Sequence, residues 1–243
     1  MPQRKSSRNC SDSAGSRPFN GATKMAIIEH RLKPWFRKNG RSFPWRETRD
    51  PYRVLIAEMM LHRTLASQVV PVYERFLDQI PDYSRFLATS PPQIRRLLIP
   101  LGLKWRNDTV VELAKELKRQ YPKGLPESRT ELLKLPGVGE YTASAVYCFA
   151  YGRPAVLLDT NIVRVLGRLF SLPRSDSSRR SQKYRALLSV KASRAGQREF
   201  YFGLLDLAAL LCRPAVPECS LCPLNRNCAS FSGGVFFERG SGS

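Results

Sequence analysis

The chain has 243 residues, of which 42% are hydrophobic, so it can form a substantial core in one large domain or two smaller ones. Its 40 lysines and arginines exceed its 20 acidic residues, and this formal charge of +20 favours a nucleic-acid partner, because binding a polyanion releases counterions. A basic ribosome-like or membrane-surface protein is the alternative on charge alone, whereas two histidines exclude a multi-histidine metal centre. No run approaches the ~20 apolar residues of a membrane span, so no membrane association is expected.

Residues 1–24 carry five basic groups, one acid and no apolar centre. They predict a disordered basic arm rather than a secretory signal, with a eukaryotic transit peptide as the alternative. From Met25 onward, apolar residues recur at helical spacing between prolines and glycines. The predicted helices are Ala26–Lys38, Tyr52–Leu77 with an interruption near Pro71, Tyr83–Ala88, Pro92–Ile99, Asn107–Gln120, Ser128–Lys134, Tyr141–Ala150, Thr160–Phe170, Ser181–Val190 and Gln197–Leu211. Strand patterns are nearly absent, so the fold class is all-α, with a flexible tail over 231–243.

Four cysteines follow the last predicted helix at the spacing C-x6-C-x2-C-x5-C. They are Cys212, Cys219, Cys222 and Cys228. In a reducing compartment, four thiolates indicate a metal centre rather than disulfides. Zinc is the alternative, although two C-x2-C pairs are its usual pattern, and this spacing favours an iron–sulfur cluster. The remaining cysteines, Cys10 and Cys148, are expected to be inert.

A glycine-rich turn, Leu135-Pro-Gly-Val-Gly-Glu-Tyr-Thr-Ala143, lies between two predicted helices. Gly137, Val138 and Gly139 allow a tight hairpin whose backbone amides approach an outside oxygen. The helix that follows begins with unpaired N–H groups, which suit a phosphate. The pattern predicts a helix-hairpin-helix that grips a nucleic-acid backbone without reading bases, and a plain turn is the alternative.

Two acidic residues stand beside apolar segments. Asp159 precedes a predicted helix, where an N-cap role is the simple interpretation. Glu58 lies inside the apolar run 54–61, where a carboxylate is costly unless it is paired or protonated, so a raised pKa is expected. Its simple interpretation is a pair with His62 one helical turn later. Spacing alone leaves catalysis and these structural roles open for both acids.

Together, the hairpin, an aspartate about twenty residues later and the cysteine spacing resemble the endonuclease III/MutY family of DNA glycosylases. The resemblance extends from about Phe43 to Cys228. It implies two helical domains flanking a DNA-binding cleft. Residues 52–158 would form a six-helix bundle carrying the hairpin. The N-terminal helix region, 25–51, would join residues 159–230 in an iron–sulfur cluster domain.

The resemblance also implies roles for three side chains. Asp159 matches the essential aspartate, whose carboxylate would stabilise positive charge on the deoxyribose as the N-glycosidic bond breaks. Tyr141 stands where endonuclease III-like enzymes have a lysine that forms a Schiff base, and a phenol forms no imine. We therefore expect a monofunctional glycosylase with little or no AP lyase activity. Glu58 would, with Tyr141, hold the flipped base and stabilise its departing anion.

Two branches of the family fit these residues. MutY enzymes usually have Gln-Gln where this chain has His62-Arg63, and they carry a further C-terminal domain, whereas few residues follow Cys228 here. The resemblance is therefore nearest to the short thymine/uracil–guanine mismatch glycosylases of base excision repair. The alternatives are a MutY-like adenine glycosylase acting on A·G or A·8-oxoguanine, and a non-catalytic DNA-binding adaptor on the same scaffold.

The resemblance completes the expected site. Residues that match DNA-contacting loops are His62, Arg63, Leu103, Lys104 and Arg106, together with the hairpin residues. The four cysteines would hold one structural 4Fe-4S cluster per chain. The expected partner is double-stranded DNA with a mismatched or damaged base, bound by a monomer. The expected location is the nucleoid of a prokaryotic cytoplasm, or the nucleus in a eukaryote.

Overall fold

The computed structural model describes residues 21–192 and 196–233 of the chain. Its α-helices are α1 Gly21–Asn39, α2 Pro44–Glu47, α3 Pro51–Met60, α4 Ala66–Gln79, α5 Tyr83–Ala88, α6 Pro91–Leu98, α7 Lys104–Gln120, α8 Arg129–Leu132, α9 Glu140–Phe149, α10 Thr160–Phe170, α11 Gln182–Ala192, α12 Gln197–Leu210 and α13 Ala229–Ser232. Short 3-10 turns cover Ile99–Leu101, Asp176–Arg180, Cys219–Leu221 and Asn225–Asn227. No strand occurs in these two described ranges, which confirms the all-α class.

Helix packing brings the two ends of the described chain together. Helix α1 packs most extensively on α12 and also contacts α11, while α12 packs on α10. Helices α3 to α9 pack on one another, with α3 against α9, α4 and α7, and α6 against α7. Helix α12 also contacts α9, and α2 contacts α3. Within the described ranges, no helix has the length and apolarity that crossing a bilayer requires.

A buried ion cluster ties the segment before α2 to α12. Asp206 is completely buried, and its carboxylate accepts two hydrogen bonds from the Arg46 guanidinium, at 2.8 and 2.9 Å. Arg41 donates to the same carboxylate through its backbone N–H and its Nε, both at 2.8 Å. Burial opposes ionisation of Asp206, but these hydrogen bonds and charges lower its pKa, so the carboxylate stays charged.

The predicted interruption near Pro71 is wrong. Pro71 lies inside α4 as its sixth residue, and the chain breaks instead over residues 61–65, between α3 and α4. Arg63 has a φ of 55° there, a left-handed conformation that a right-handed helix cannot continue. A proline costs one helical hydrogen bond, whereas a left-handed residue redirects the chain.

The predicted terminal segments are partly corrected. Residues 21–24 form the first turn of α1, so the boundary of the arm at residue 24 is wrong, and residues 1–20 lie outside the described residues. Phe231 and Ser232 belong to α13 rather than to the predicted tail, of which residues 234–243 lie outside the described residues.

We expect Asp206→Ala to lower the free energy of unfolding by about 3–5 kcal/mol, because it leaves the Arg46 guanidinium buried without its counter-ion. Glu116→Ala is the control, since Glu116 pairs with Arg119 on the exposed face of α7 and such an exposed pair contributes little to stability. Urea unfolding of both variants measures the difference. Equal losses would contradict a structural role for the Asp206 cluster.

Candidate active site and nucleic-acid interface

Three ionisable side chains meet where α3, α9 and α10 approach one another. Glu58 lies on α3, Tyr141 in the first turn of α9, and Asp159 at the N-cap of α10. Their mutual proximity is electrostatic as well as spatial, since the Asp159 charge raises the pKa of Glu58 and both acids raise that of Tyr141. Glu58 is buried and the other two are half-buried. The structure thus brings together the three residues that the sequence indicated as catalytic.

Asp159 both caps a helix and belongs to this group. Its Oδ1 accepts a hydrogen bond from the Ile162 backbone N–H at 2.7 Å, and its Oδ2 accepts one from the Asn161 side chain at 2.9 Å. Burial raises the pKa of Asp159, while these two donors act in the opposite direction. The N-terminus of α10 also favours a negative charge at this position.

Glu58 has no such donors. It is 7% exposed, and its carboxyl makes no hydrogen bond with any described residue. Burial first, and the neighbouring Asp159 second, raise the pKa of Glu58 to about 8. The alternative pairing with His62 is not what the structure has, because the His62 Nε2 lies 3.1 Å from the Thr142 Oγ1 instead. Glu58 therefore keeps a proton at neutral pH.

Tyr141 is a phenol in this environment. Burial raises its pKa well above the usual value, and the charges of Glu58 and Asp159 raise it further. Its hydroxyl is therefore a hydrogen-bond donor throughout the physiological range. One buried site thus contains a carboxyl with two hydrogen-bond donors, a carboxyl without donors and a phenol, which is an arrangement suited to separating acid and anion roles.

The hairpin between α8 and α9 has two exposed glycines, of which only one has room for a side chain. Gly137 has a φ of +73°, and a Cβ there would lie 2.6 Å from Met59 Cε and closer still to Thr109. Gly139 is exposed, and a Cβ there would meet no atom within 4 Å. Val138 is buried at 5% exposure, so it offers little surface to a ligand. The accessible part of the hairpin is the backbone before α9.

The other predicted DNA contacts lie on two loops, and one prediction is wrong. Arg63 and Lys104 are exposed, and Leu103 is half-buried with a φ of 50°. Arg106 has no exposed surface and cannot reach a phosphate here. Its guanidinium instead donates to oxygens of residues 60–64 and 101–102. A helical pattern alone does not distinguish a buried arginine from an exposed one.

The four predicted cysteine ligands line one cavity, bordered by Arg168 and Phe231. All four are half-buried and none forms a disulfide. Arg168 Nη1 lies 3.3 Å from the Cys212 sulfur. Among the residues that the structure describes, His, Cys, Asp and Glu form no group of three or more that could hold a metal ion. The four cysteines nevertheless line one common cavity.

Sequence reasoning missed Asn161 and Arg164. Asn161 donates to Asp159, and its Oδ1 accepts a hydrogen bond from Arg164 Nη1 at 3.0 Å. Arg164 Nε also donates to the backbone oxygen of Cys212 at 2.9 Å. These bonds connect the aspartate to the cysteine loop through the first two turns of α10. The only sequence signal was an amide side chain two residues after a helix cap.

Known proteins match both the hairpin motif and most of the length of this chain. Residues 120–149 match the helix-hairpin-helix motif. A thymine-DNA glycosylase of Aeropyrum pernix is 36% identical over 217 residues, which span 86% of this chain and 96% of that protein. The chain belongs to the helix-hairpin-helix DNA glycosylases. Within this family, a thymine/uracil-DNA glycosylase of Pyrobaculum aerophilum is 37% identical, covering 81% of this chain and 88% of the relative.

A solved structure of a glycosylase shows the same fold. The structure of a thermostable thymine-DNA glycosylase superposes with a TM-score of 0.79 at 32% identity, covering 87% of this chain and 98% of that one. Adenine DNA glycosylases also match, at 28% to 32% identity, and the chain spans 58% to 74% of their length. This chain is thus a DNA glycosylase of the base excision repair type.

The raised pKa of Glu58 predicts that Glu58→Gln becomes more stable relative to the parent protein as the pH rises. Between about pH 4.3 and 8 the unfolded chain loses this proton while the folded chain keeps it, so stability falls as pH rises through this window. Glu58→Gln removes this dependence, because its amide does not ionise. Urea unfolding should show the variant gaining over the parent protein by an amount on the order of 1 kcal/mol per pH unit across the window.

The control is Glu112→Gln, at an exposed acid on α7. This variant makes the same change from carboxyl to amide at a position that is not buried. A difference between Glu58→Gln and the parent protein that stays constant from about pH 4.3 to 8 would contradict a buried, protonated Glu58.

Proposed function

We propose that this glycosylase hydrolyses the N-glycosidic bond of thymine or uracil mispaired with guanine, after the base has left the duplex stack. The observation that carries the proposal is the group formed by Glu58, Tyr141 and Asp159, in which one carboxyl has donors and the other has none. The relatives named as thymine and thymine/uracil glycosylases support the choice of base. A mispaired base costs least to extrude.

Asp159 is the group suited to act as the anion. As the bond to the base breaks, positive charge develops on the deoxyribose, and a fixed carboxylate beside it stabilises that charge. The Ile162 amide and the Asn161 side chain hold the carboxylate in one orientation, so little reorganisation is required during the reaction. The same oxygen atoms are able to orient the attacking water.

Glu58 and Tyr141 are suited to act on the leaving base. Both carry a proton at neutral pH, because burial raises their pKa values. Each would donate a hydrogen bond to an oxygen of the departing pyrimidine, where negative charge develops. Since Tyr141 cannot form an imine, we propose that the reaction stops at the abasic site, with little or no strand cleavage.

The DNA would lie across the surface that carries the hairpin and the two loops. The exposed backbone at Gly139 suits a phosphate, and Arg63 and Lys104 supply exposed positive charge. In this arrangement the α3–α9 helices and the α1–α10–α12 helices form two domains, with the bound nucleotide in the cleft between them. Asp159, at the start of α10, would face this cleft.

A panel of duplexes tests the substrate. Protein incubated with single T·G, U·G, A·G or A·8-oxoguanine pairs and then heated in alkali should cut only the T·G and U·G duplexes. Without alkali there should be no nicks and no borohydride-trapped adduct. Cutting confined to adenine-containing pairs would overturn the substrate, and no abasic sites on any duplex would favour the non-catalytic adaptor.

Asp159→Asn tests the anion. Asparagine caps helices as well as aspartate does, so the variant should fold, yet its single-turnover rate should fall at least about a hundredfold. Asp82→Asn is the matched control, because Asp82 caps α5 in the same way and lies outside the proposed site. An Asp159→Asn rate within a few-fold of the parent protein would remove the aspartate from the mechanism.

We also propose that Cys212, Cys219, Cys222 and Cys228 hold one 4Fe-4S cluster. Support comes from the all-thiol donor set and from the single cavity that all four residues line. Such a cluster, fully ligated by four thiolates, would cross-link the two ends of the segment between α12 and α13, beside Arg168 of α10. Its role would be structural, and no step of the reaction requires it.

Metal analysis tests the cluster. Anaerobically purified protein should be brown, with about four iron and four sulfide per chain. Cys222→Ser should lose most of the iron, whereas Cys148→Ser, at a buried cysteine outside the cavity, should keep it. Stoichiometric zinc without iron would contradict the proposal.

A further inference from the structure

Arg106 is a buried arginine whose partners are all oxygens of two loops. Its Nη1 donates to the backbone oxygens of Met60, at 2.9 Å, and His62, at 3.1 Å. The same nitrogen donates to the Thr64 hydroxyl at 2.7 Å. One end of the guanidinium thus binds the end of α3 and the loop of residues 61–65, called here the first loop.

The other end of the guanidinium binds a different segment. Arg106 Nη2 donates to the backbone oxygens of Leu101, at 3.0 Å, and Gly102, at 3.3 Å. These residues belong to the loop of residues 101–103, called here the second loop. Each terminal nitrogen therefore holds one loop, and the planar group fixes the distance between the two.

Both loops hold a residue in an unfavourable backbone conformation. Arg63 in the first loop has a φ of 55°, and Leu103 in the second has a φ of 50°. Among the described non-glycine residues, only Ser171 shares a positive φ, and it caps the C-terminus of α10, where this conformation is common. Residues of this kind persist only where their surroundings fix them, and they concentrate at functional sites.

The side chains that these loops present suit insertion into a duplex. Leu103 is an apolar side chain at the tip of its loop, and Trp105 just after it is 48% exposed. Arg63 and Lys104 add exposed positive charge on the same surface. Proteins that unstack base pairs combine an apolar wedge with cations that meet the backbone.

Burying this guanidinium is costly for stability alone. It has no exposed surface, forms no ion pair with a described carboxylate, and its Nε has no hydrogen-bond partner. A charge buried without a counter-ion is poor evidence for a stabilising role, since apolar residues would pack there at lower cost. What the arginine supplies is a fixed relation between the two loops.

We propose that Arg106 is a positioning residue that holds the first and second loops as one unit, so that Arg63 and Leu103 enter the base stack together. This role rests on the proposed base-extruding function. The first loop also reaches the proposed base site, because the His62 ring contacts Thr142, next to Tyr141. Arg106 thereby links duplex insertion to the position of the side chains that hold the base.

Arg106→Lys and Arg106→Met test this role, with Arg119→Lys at the exposed end of the same helix as the control. A lysine has a single ammonium nitrogen and cannot hydrogen-bond to both loops as the two guanidinium nitrogens do. Arg106→Met is a second variant, which fills the buried site with an apolar side chain. Both Arg106 variants should bind a fully paired duplex within about twofold of the parent protein, as judged by fluorescence anisotropy. The single-turnover rate of base excision from a T·G duplex should fall at least tenfold.

A spectroscopic readout separates positioning from a general loss of structure. The fluorescence of a 2-aminopurine beside the T·G pair should increase when the parent protein or Arg119→Lys binds. With either Arg106 variant, this increase should be at least fivefold smaller. A proportional loss of paired-duplex binding and T·G cleavage would overturn the proposal, as would cleavage by both variants at the parent rate.

Hydrogen exchange keeps the test independent of activity. In Arg106→Lys, amides of the first and second loops should exchange at least tenfold faster together, while those of residues 140–149 in α9 stay unchanged. Faster exchange in one loop only, or in neither, would overturn the role of Arg106. If the parent protein cleaves no mispair, the proposed function fails, and hydrogen exchange still decides whether Arg106 couples the loops.

Discussion

Two carboxyl groups lie near each other in a poorly hydrated part of this fold, and their different hydrogen bonds give them different protonation states. Asp159 receives the first free N–H groups of α10 and an amide side chain, whereas Glu58 lies on α3 among apolar residues without a donor. Because two neighbouring negative charges oppose each other, ionisation is less costly at the carboxyl that has donors, and Glu58 holds its proton more tightly. The remaining features of the site depend on this difference, since an anion for the sugar and acids for the base are needed at the same time.

Helix α10 joins the proposed chemistry to the cysteine loop. Asp159 caps its N-terminus, and Arg164 and Arg168, one and two turns further on, donate to backbone oxygens of the cysteine loop. Arg164 also donates to Asn161, the partner of Asp159. The segment after α12 and the aspartate are therefore held by successive turns of one helix. A distortion of the cysteine loop would therefore displace Arg164, which also hydrogen-bonds to Asn161, the partner of Asp159.

The sequence was sufficient for the helical class and for the residues whose chemistry is unusual in context. An acid within the apolar run of α3, an aspartate before a helix and a phenol after a glycine hairpin are each visible without a structure, and all three converge. Predictions failed where local patterns conflict with tertiary contacts. Pro71 suggested a helix break, but the break lies at Arg63, between two residues that accept hydrogen bonds from Arg106, about forty positions away. No local pattern reports such contacts.

Arg106 shows why the net charge overstates the interface. Arg106 and Arg168 are buried, and the Arg46 side chain is 9% exposed. All three guanidinium groups donate hydrogen bonds to oxygens inside the protein. These cations contribute to the formal +20 without facing a phosphate. Counterion release depends only on charges that approach the polyanion, so the charge total indicates the kind of partner, whereas burial decides which residues contact it. In this protein, part of the excess positive charge lies inside the fold, where guanidinium groups donate hydrogen bonds to the backbone oxygens and carboxylates of neighbouring segments.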